Sequence, residues 1–119
     1  MPAIKITTSA PVIIGNSVIR GRGSLIQGLR SRLTVRNTRG VGIYPNVAGL
    51  SPGRFASLEK VYDVRMENNL LEGTGGICIR QYRGDAARGE TITVRRNVVK
   101  NIDGRQSDGN GGYSDKAFN

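Results

Sequence analysis

The groups in this chain best suited to chemistry are its arginines. They make up 14 of its 18 basic residues, and the net charge is +9. A guanidinium is a rigid fork of donors that matches a carboxylate or a phosphate. The balance therefore points to polyanionic partners, whether acidic polysaccharide, nucleic acid or an anionic surface. A solvated, soluble surface accounts for the same charge. There is no histidine, so Ser-His pairs and imidazole metal ligands are excluded. Cys78 is the only cysteine, which rules out an intrachain disulfide and a cysteine zinc site. No second Cys or His is present to build a mechanism on its thiol, so it reads as incidental. Asp103, Asp108 and Asn110 lie amid glycines in the manner of an oxygen-rich Ca²⁺ loop. Their spacing fits no EF-hand, so they read as a polar turn and no cofactor is assigned. Gly21-Arg22-Gly23 and Gly73-Thr74-Gly75-Gly76 lack the trailing Lys-Ser/Thr of a phosphate-binding loop and read as bends. Single-strand nucleic-acid binders interleave basic grooves with aromatic platforms. Four Tyr, two Phe and arginines dispersed along the chain argue against that partner.

Positioning these groups falls to a repeat. Four segments share one pattern: Val12-Ile13-Ile14-Gly15-Asn16-Ser17, Leu33-Thr34-Val35-Arg36-Asn37-Thr38, Val64-Arg65-Met66-Glu67-Asn68-Asn69 and Ile92-Thr93-Val94-Arg95-Arg96-Asn97. Aligned on Ser17, Thr38, Asn69 and Asn97, the positions five and three residues earlier are apolar throughout, and the position two earlier carries Gly15, Arg36, Glu67 and Arg95. Alternation of this kind belongs to strands, and self-similarity at this period belongs to solenoids. Stacked at about 4.8 Å per rung, the four anchors would form a ladder of side chains that bond to one another and to turn backbone. Asn also tolerates the left-handed conformations of tight bends.

The anchors are spaced by 21, 31 and 28 residues, a rung of about 21 with two insertions. Glycine-containing turns lead to second strands at Ser24-Leu25-Ile26, Gly42-Ile43-Tyr44 and Gly76-Ile77-Cys78-Ile79, with Cys78 in an outward slot. On this reading the insertions, roughly residues 45–60 and 80–90, leave one corner of the coil and flank a binding surface. The single domain divides into an N-terminal strand or cap (1–10), repeat rungs (11–102) and a Gly/Asp-rich C-terminal rung or tail (103–119). The fold expected is all-β: a right-handed, single-stranded parallel β-helix (a solenoid) of about four to five rungs. Its rival is a small antiparallel sandwich or barrel of the same short strands.

The segment Val64-Arg65-Met66-Glu67-Asn68-Asn69-Leu70-Leu71-Glu72-Gly73-Thr74-Gly75-Gly76-Ile77-Cys78-Ile79 resembles a repeat of the right-handed parallel β-helix proteins of the pectate-lyase-like superfamily. Residues 92–100 match the first half of that repeat, and the resemblance covers about 11–102. It implies carbohydrate as the partner, with cleavage by β-elimination or epimerisation of uronate polymers as the chemistry. Such chemistry needs a base beside the carboxylate and a cation to neutralise it. Groups suited to these roles are Arg80, Tyr82 and Arg83 after a second strand, Lys100 in the fourth rung, and Arg36, Arg65 and Arg95 on outward columns. Tyr44 and Tyr82 could stack on sugar rings. Each outward Arg is equally explained as solvated or as part of a rung-to-rung charge ladder, and no catalytic motif matches residue by residue. Enzyme or binding protein therefore stays open.

Two functions follow as expectations. One is binding, with processing as an added step, of an acidic polysaccharide. The other is a structural or adhesive module that self-associates through its open ends, because four rungs make a short solenoid that is either a fragment or a stacking unit. The resemblance implies a secreted or cell-surface protein, although no signal peptide is present at the N-terminus. No apolar run approaches the roughly 20 residues of a membrane span.

Overall fold

Alternating apolar positions give the chain short strands that bury one face, and a computed structural model shows how they stack. It describes residues 2–43, 53–81 and 91–100, together with the backbone of two short strands at 105–107 and 113–115. Each rung has three strands. The first rung is β1 (Ile4–Ile6), β2 (Pro11–Gly15) and β3 (Val18–Gly21). The second is β4 (Ile26–Leu29), β5 (Arg32–Arg36) and β6 (Arg39–Gly42). The third is β7 (Ala56–Glu59), β8 (Asp63–Glu67) and β9 (Leu70–Glu72). The fourth is β10 (Ile77–Arg80), β11 (Thr91–Arg95) and β12 (Val98–Lys100).

Three parallel sheets result, each taking one strand from every rung. We call them sheet A (β1-β4-β7-β10), sheet B (β2-β5-β8-β11) and sheet C (β3-β6-β9-β12). The protein is thus an all-β parallel β-helix of four rungs, and the antiparallel sandwich is excluded. Residues 4–6 are a full member of the first rung, paired to β4. The strands β13 (Arg105–Ser107) and β14 (Tyr113–Asp115) pair antiparallel with each other in a separate sheet and add no fifth rung.

Register within sheet B stacks Val12, Leu33, Val64 and Ile92 in one inward column and Ile14, Val35, Met66 and Val94 in another. These columns, with Leu25, Ile26, Phe55, Leu58, Leu71 and Ile77, fill a narrow core. The third inward column, on sheet C, contains Ile19, Gly40 and Leu71, and Gly40 lacks the apolar side chain its neighbours have. The gap is filled from a corner. A Cβ on Gly40 would overlap the Phe55 ring and approach Leu25 Cδ1 to 3.1 Å, so a glycine in one rung makes room for an aromatic from the next.

The turn from sheet B to sheet C is the most regular corner. Its left-handed residues are Asn16, Asn37, Asn68 and Arg96, with φ between 49° and 55°. The strained position is therefore one residue before the anchor, not the anchor itself as the composition of that column suggested. Three of the four are Asn, whose short amide bonds locally in this region. The turn from A to B repeats the device with Arg30 and Lys60.

Freed from strain, the anchors hold the backbone. Asn69 Oδ1 accepts from the Thr38 N–H at 3.1 Å, and its Nδ2 donates to Val35 O at 2.9 Å. Asn97 repeats this one rung on, accepting from Asn69 N–H at 3.1 Å and from Asn69 Nδ2 at 3.0 Å, and donating to Met66 O at 2.8 Å. Ser17 and Thr38 instead turn their hydroxyls to local carbonyls, Gly15 O and Arg36 O. The residue after each anchor donates to the anchor carbonyl of the preceding rung: Arg39 to Ser17, Leu70 to Thr38, Val98 to Asn69.

The two insertions do not leave one corner. Residues 44–52 fall between β6 and β7, at the turn from sheet C to sheet A, whereas 82–90 fall between β10 and β11, at the turn from A to B. The segments that looked equivalent belong to different sheets: Gly42 ends β6 and pairs with Gly21, whereas Ile77 begins β10 and pairs with Ala56. The true counterpart of Leu25-Ile26 is Phe55-Ala56, which the sequence reading had absorbed into the first insertion. Cys78 occupies the column of Lys5, Gln27 and Ser57 but is buried, at 1% exposure.

Two stability outcomes follow. Asn69→Ala leaves the buried Thr38 N–H and Val35 carbonyl without their partner and costs about 3 kcal/mol, while Asn97→Ala, half-open at the coil end, costs less; denaturant melts check the order. Gly40→Ala overpacks against Phe55 and costs about 1–3 kcal/mol, and pairing it with Phe55→Leu recovers part of that loss.

Candidate functional site

Parallel, in-register stacking makes every outward residue a member of a column, so the outer faces are strips of chemistry. On sheet B the outward columns are Pro11-Arg32-Asp63-Thr91, Ile13-Thr34-Arg65-Thr93 and Gly15-Arg36-Glu67-Arg95. Four of the described arginines lie on this one face. A depression of about 200 Å³ is lined by Pro11, Ile13, Arg32, Thr34, Asp63 and Arg65 among others. A second, of about 350 Å³, shares Asp63 and Arg65 and extends to Thr91. Sharing Asp63 and Arg65, the two make a shallow groove whose lining draws on all four strands of sheet B. Three inter-rung steps make it about 14 Å long.

Arg32 is set before any ligand arrives. Its guanidinium donates from Nη1 to Ser9 O at 2.7 Å and lies over the Tyr62 ring, 4.6 Å from the centroid. An Arg so stacked loses little further freedom on binding. Arg36 turns the other way: its Cγ and Nε lie 3.6 and 3.7 Å from where a Gly15 Cβ would stand, so its stem covers the first rung.

Within the four rungs the described acids all belong to the third: Glu59, Asp63, Glu67 and Glu72. The outward charges of the second rung are basic, as are those of the described part of the fourth. Stacking therefore alternates sign. Glu67 pairs with Arg95 at 3.0 Å and Arg65 at 3.2 Å, Glu72 with Arg39 at 2.7 Å, and Glu59 with Arg80 at 3.5 Å. The hydrogen bond from Arg95 holds the Glu67 carboxyl below the usual glutamate range, opposed by partial burial and reinforced by Arg65. The bond from Arg39 does the same for Glu72, again against burial, with the charge of Lys100 adding to it.

Of the substrate-binding residues expected from sequence, only Arg80 and Lys100 are among the described residues, and they stand apart. Arg80 ends β10 on sheet A and Lys100 ends β12 on sheet C, on different faces of the coil. Tyr44, Tyr82 and Arg83 lie outside the described residues, as do Asp103, Asp108 and Asn110. Arg36, Arg65 and Arg95 share sheet B. The groove residues Arg32, Tyr62, Asp63 and Thr91 were not singled out. Arg32, Asp63 and Thr91 lie in the column six residues before the anchor, which is regular in spacing and irregular in type, and Tyr62 stands one position earlier. Among the described residues no three His, Cys, Asp or Glu are grouped to hold a metal ion, and no helix is long and apolar enough to cross a membrane.

Because their folded pKa values are lowered, Glu67 and Glu72 stabilise the fold above the unfolded glutamate value of about 4.3. That contribution is lost as pH falls through the folded values. The melting temperature of the parent should exceed that of a Glu67→Gln/Glu72→Gln variant at pH 6, and the two curves should converge as pH falls progressively below the unfolded glutamate value. Thermal melts across this range read the difference.

No family model, no curated protein and no solved structure matches the chain, so its place among the parallel β-helices stands on strand register.

Proposed function

We propose that the outer face of sheet B binds an acidic polysaccharide, laid along the coil axis in the groove through Arg32, Asp63, Arg65 and Thr91. The observation that carries this reading is the preset Arg32, held by Ser9 and Tyr62 in a depression that spans the first three rungs. An extended polymer with carboxylates at regular intervals suits a surface whose cations recur by rung. Arg32 and Arg65 would take carboxylates as bidentate partners, Thr34 and Thr91 offer hydroxyls to sugar hydroxyls, and the net charge of +9 attracts the polymer from a distance. The resemblance of residues 64–79 to pectate-lyase-like repeats supports uronate as the acidic sugar.

Turnover by β-elimination or epimerisation has support only from that resemblance. It requires a base beside the carboxylate-bearing carbon, and Arg80 and Lys100 stand on sheets A and C, away from the groove. Binding without cleavage is the reading the geometry favours.

A second reading, self-association through the open ends, has the exposure of Ile92, Val94 and Val98 in its favour. The charge columns oppose it, since head-to-tail stacking of two copies sets Lys100 over Arg20 and Arg95 over Gly15.

Titration calorimetry with polygalacturonate tests the proposal. Arg32→Ala and Arg65→Ala should each weaken binding by about tenfold or more, Arg20→Ala on sheet C should leave it unchanged, and added salt should weaken it. Equal losses from all three variants, or equal affinity for a neutral glucan, would contradict the sheet B site. Ultraviolet absorbance from an unsaturated uronate product would add lyase activity.

A further inference from the structure

At β11 and β12 the coil is built like its interior, but among the described residues no further layer completes it. Ile92 and Val94 continue columns in which Leu33, Val64, Val35 and Met66 are buried at 0–2% exposure, yet they are 43% and 45% exposed themselves. The open side of β11 has no strand partner among the described residues. At the corner, the Thr38 and Asn69 N–H groups are each taken by the Asn of the following rung. The Asn97 N–H, next in that series, has no such acceptor among the described residues. On the outside, Arg95 and Lys100 close two columns, each facing an acid, Glu67 or Glu72, on the inner flank.

We infer that this end accepts one further β-strand from an acidic partner, added in parallel register beside β11. Strand addition to an exposed edge draws affinity from main-chain bonds and specificity from alternate side chains. Here the specificity can be read column by column. The partner needs apolar residues over Ile92 and Val94, an acid over Arg95, a residue that tolerates positive φ next, and then Asn to take the Asn97 N–H. A second copy of this chain does not supply that strand. Its first rung offers Gly15 where the acid is needed, and its Ser17 hydroxyl is committed to Gly15 O at 2.8 Å. Its Arg20 falls over Lys100. The cations at this edge also discourage indiscriminate pairing. The site is separate from the sheet B groove and does not depend on it.

The chain's own third rung has the required pattern, Val64-Arg65-Met66-Glu67-Asn68-Asn69, and makes a ready probe. A fluorescently labelled peptide of residues 62–72 is titrated with the full chain and followed by anisotropy. Saturable binding is expected. Glu67→Lys or Asn69→Ala in the peptide should weaken it by about tenfold or more, and a peptide of residues 10–20 should bind at least as poorly as these variants. Val94→Asp in the protein, checked for fold by circular dichroism, should abolish binding. The proposal is overturned if the 62–72 peptide fails to bind, or if all peptides bind alike. It is overturned in favour of a second copy if the chain alone forms dimers or an open series that Val94→Asp disperses.

Discussion

The architecture depends on one primary amide, that of Asn69. It ties together backbone that is 28 to 34 residues distant along the chain, by donating to Val35 O, accepting from the Thr38 N–H and donating to Asn97 Oδ1. The constraint behind it is general: a bend between two sheets in a buried coil strands backbone groups that no ladder can reach, and a buried polar group without a partner is costly. Asn answers with a donor and an acceptor on one short side chain. The left-handed residue just before it, Asn68, turns the chain so that this side chain points inward. Strain and satisfaction are thus divided between adjacent residues, which explains why the corner repeats as a pair and not as a single position.

Once that corner fixes register, the rest is determined column by column. A slip of one residue would exchange inward and outward faces of a strand, so the buried amide and the apolar columns reinforce one another. The same register organises the outside. Placing the acids in the third rung, between basic rungs, lets Glu67 and Glu72 each meet cations across strands and avoids like charges in direct opposition. What is left over is positive and spread around the coil, and on sheet B the shallow groove runs past the stacked Arg32. On the proposed reading, Arg32 is the cation that the third rung leaves available to a ligand, while Arg65 is shared with Glu67.

Much of this was legible in the sequence, and what was not has physical causes. Sheet B could be read because β5, β8 and β11 are five residues long and alternate cleanly, and because the anchor types recur. Sheets A and C were blurred. Their strands are three or four residues long, Gly40 interrupts an apolar column, and Phe55 restores the lost volume from a different point in the chain, a compensation visible only in three dimensions. That blur made a three-strand rung look like a two-strand one and merged two corners into one. The groove stayed hidden for a related reason. Pro11, Arg32, Asp63 and Thr91 occupy one column but share no chemistry, whereas Arg80 and Lys100 drew notice by lying near strand ends that prove to face away from each other.

The claim that side-chain amides carry the backbone from rung to rung is tested most directly by hydrogen exchange at the anchor positions. The account predicts that the Thr38 and Asn69 amides exchange only through global unfolding, with protection equal to the full stability of the coil. The Ser17 and Asn97 amides, which no following Asn receives among the described residues, should exchange much faster. Equal and rapid exchange at all four anchors would contradict it, because the ladder would then be an ornament of the fold and not its support.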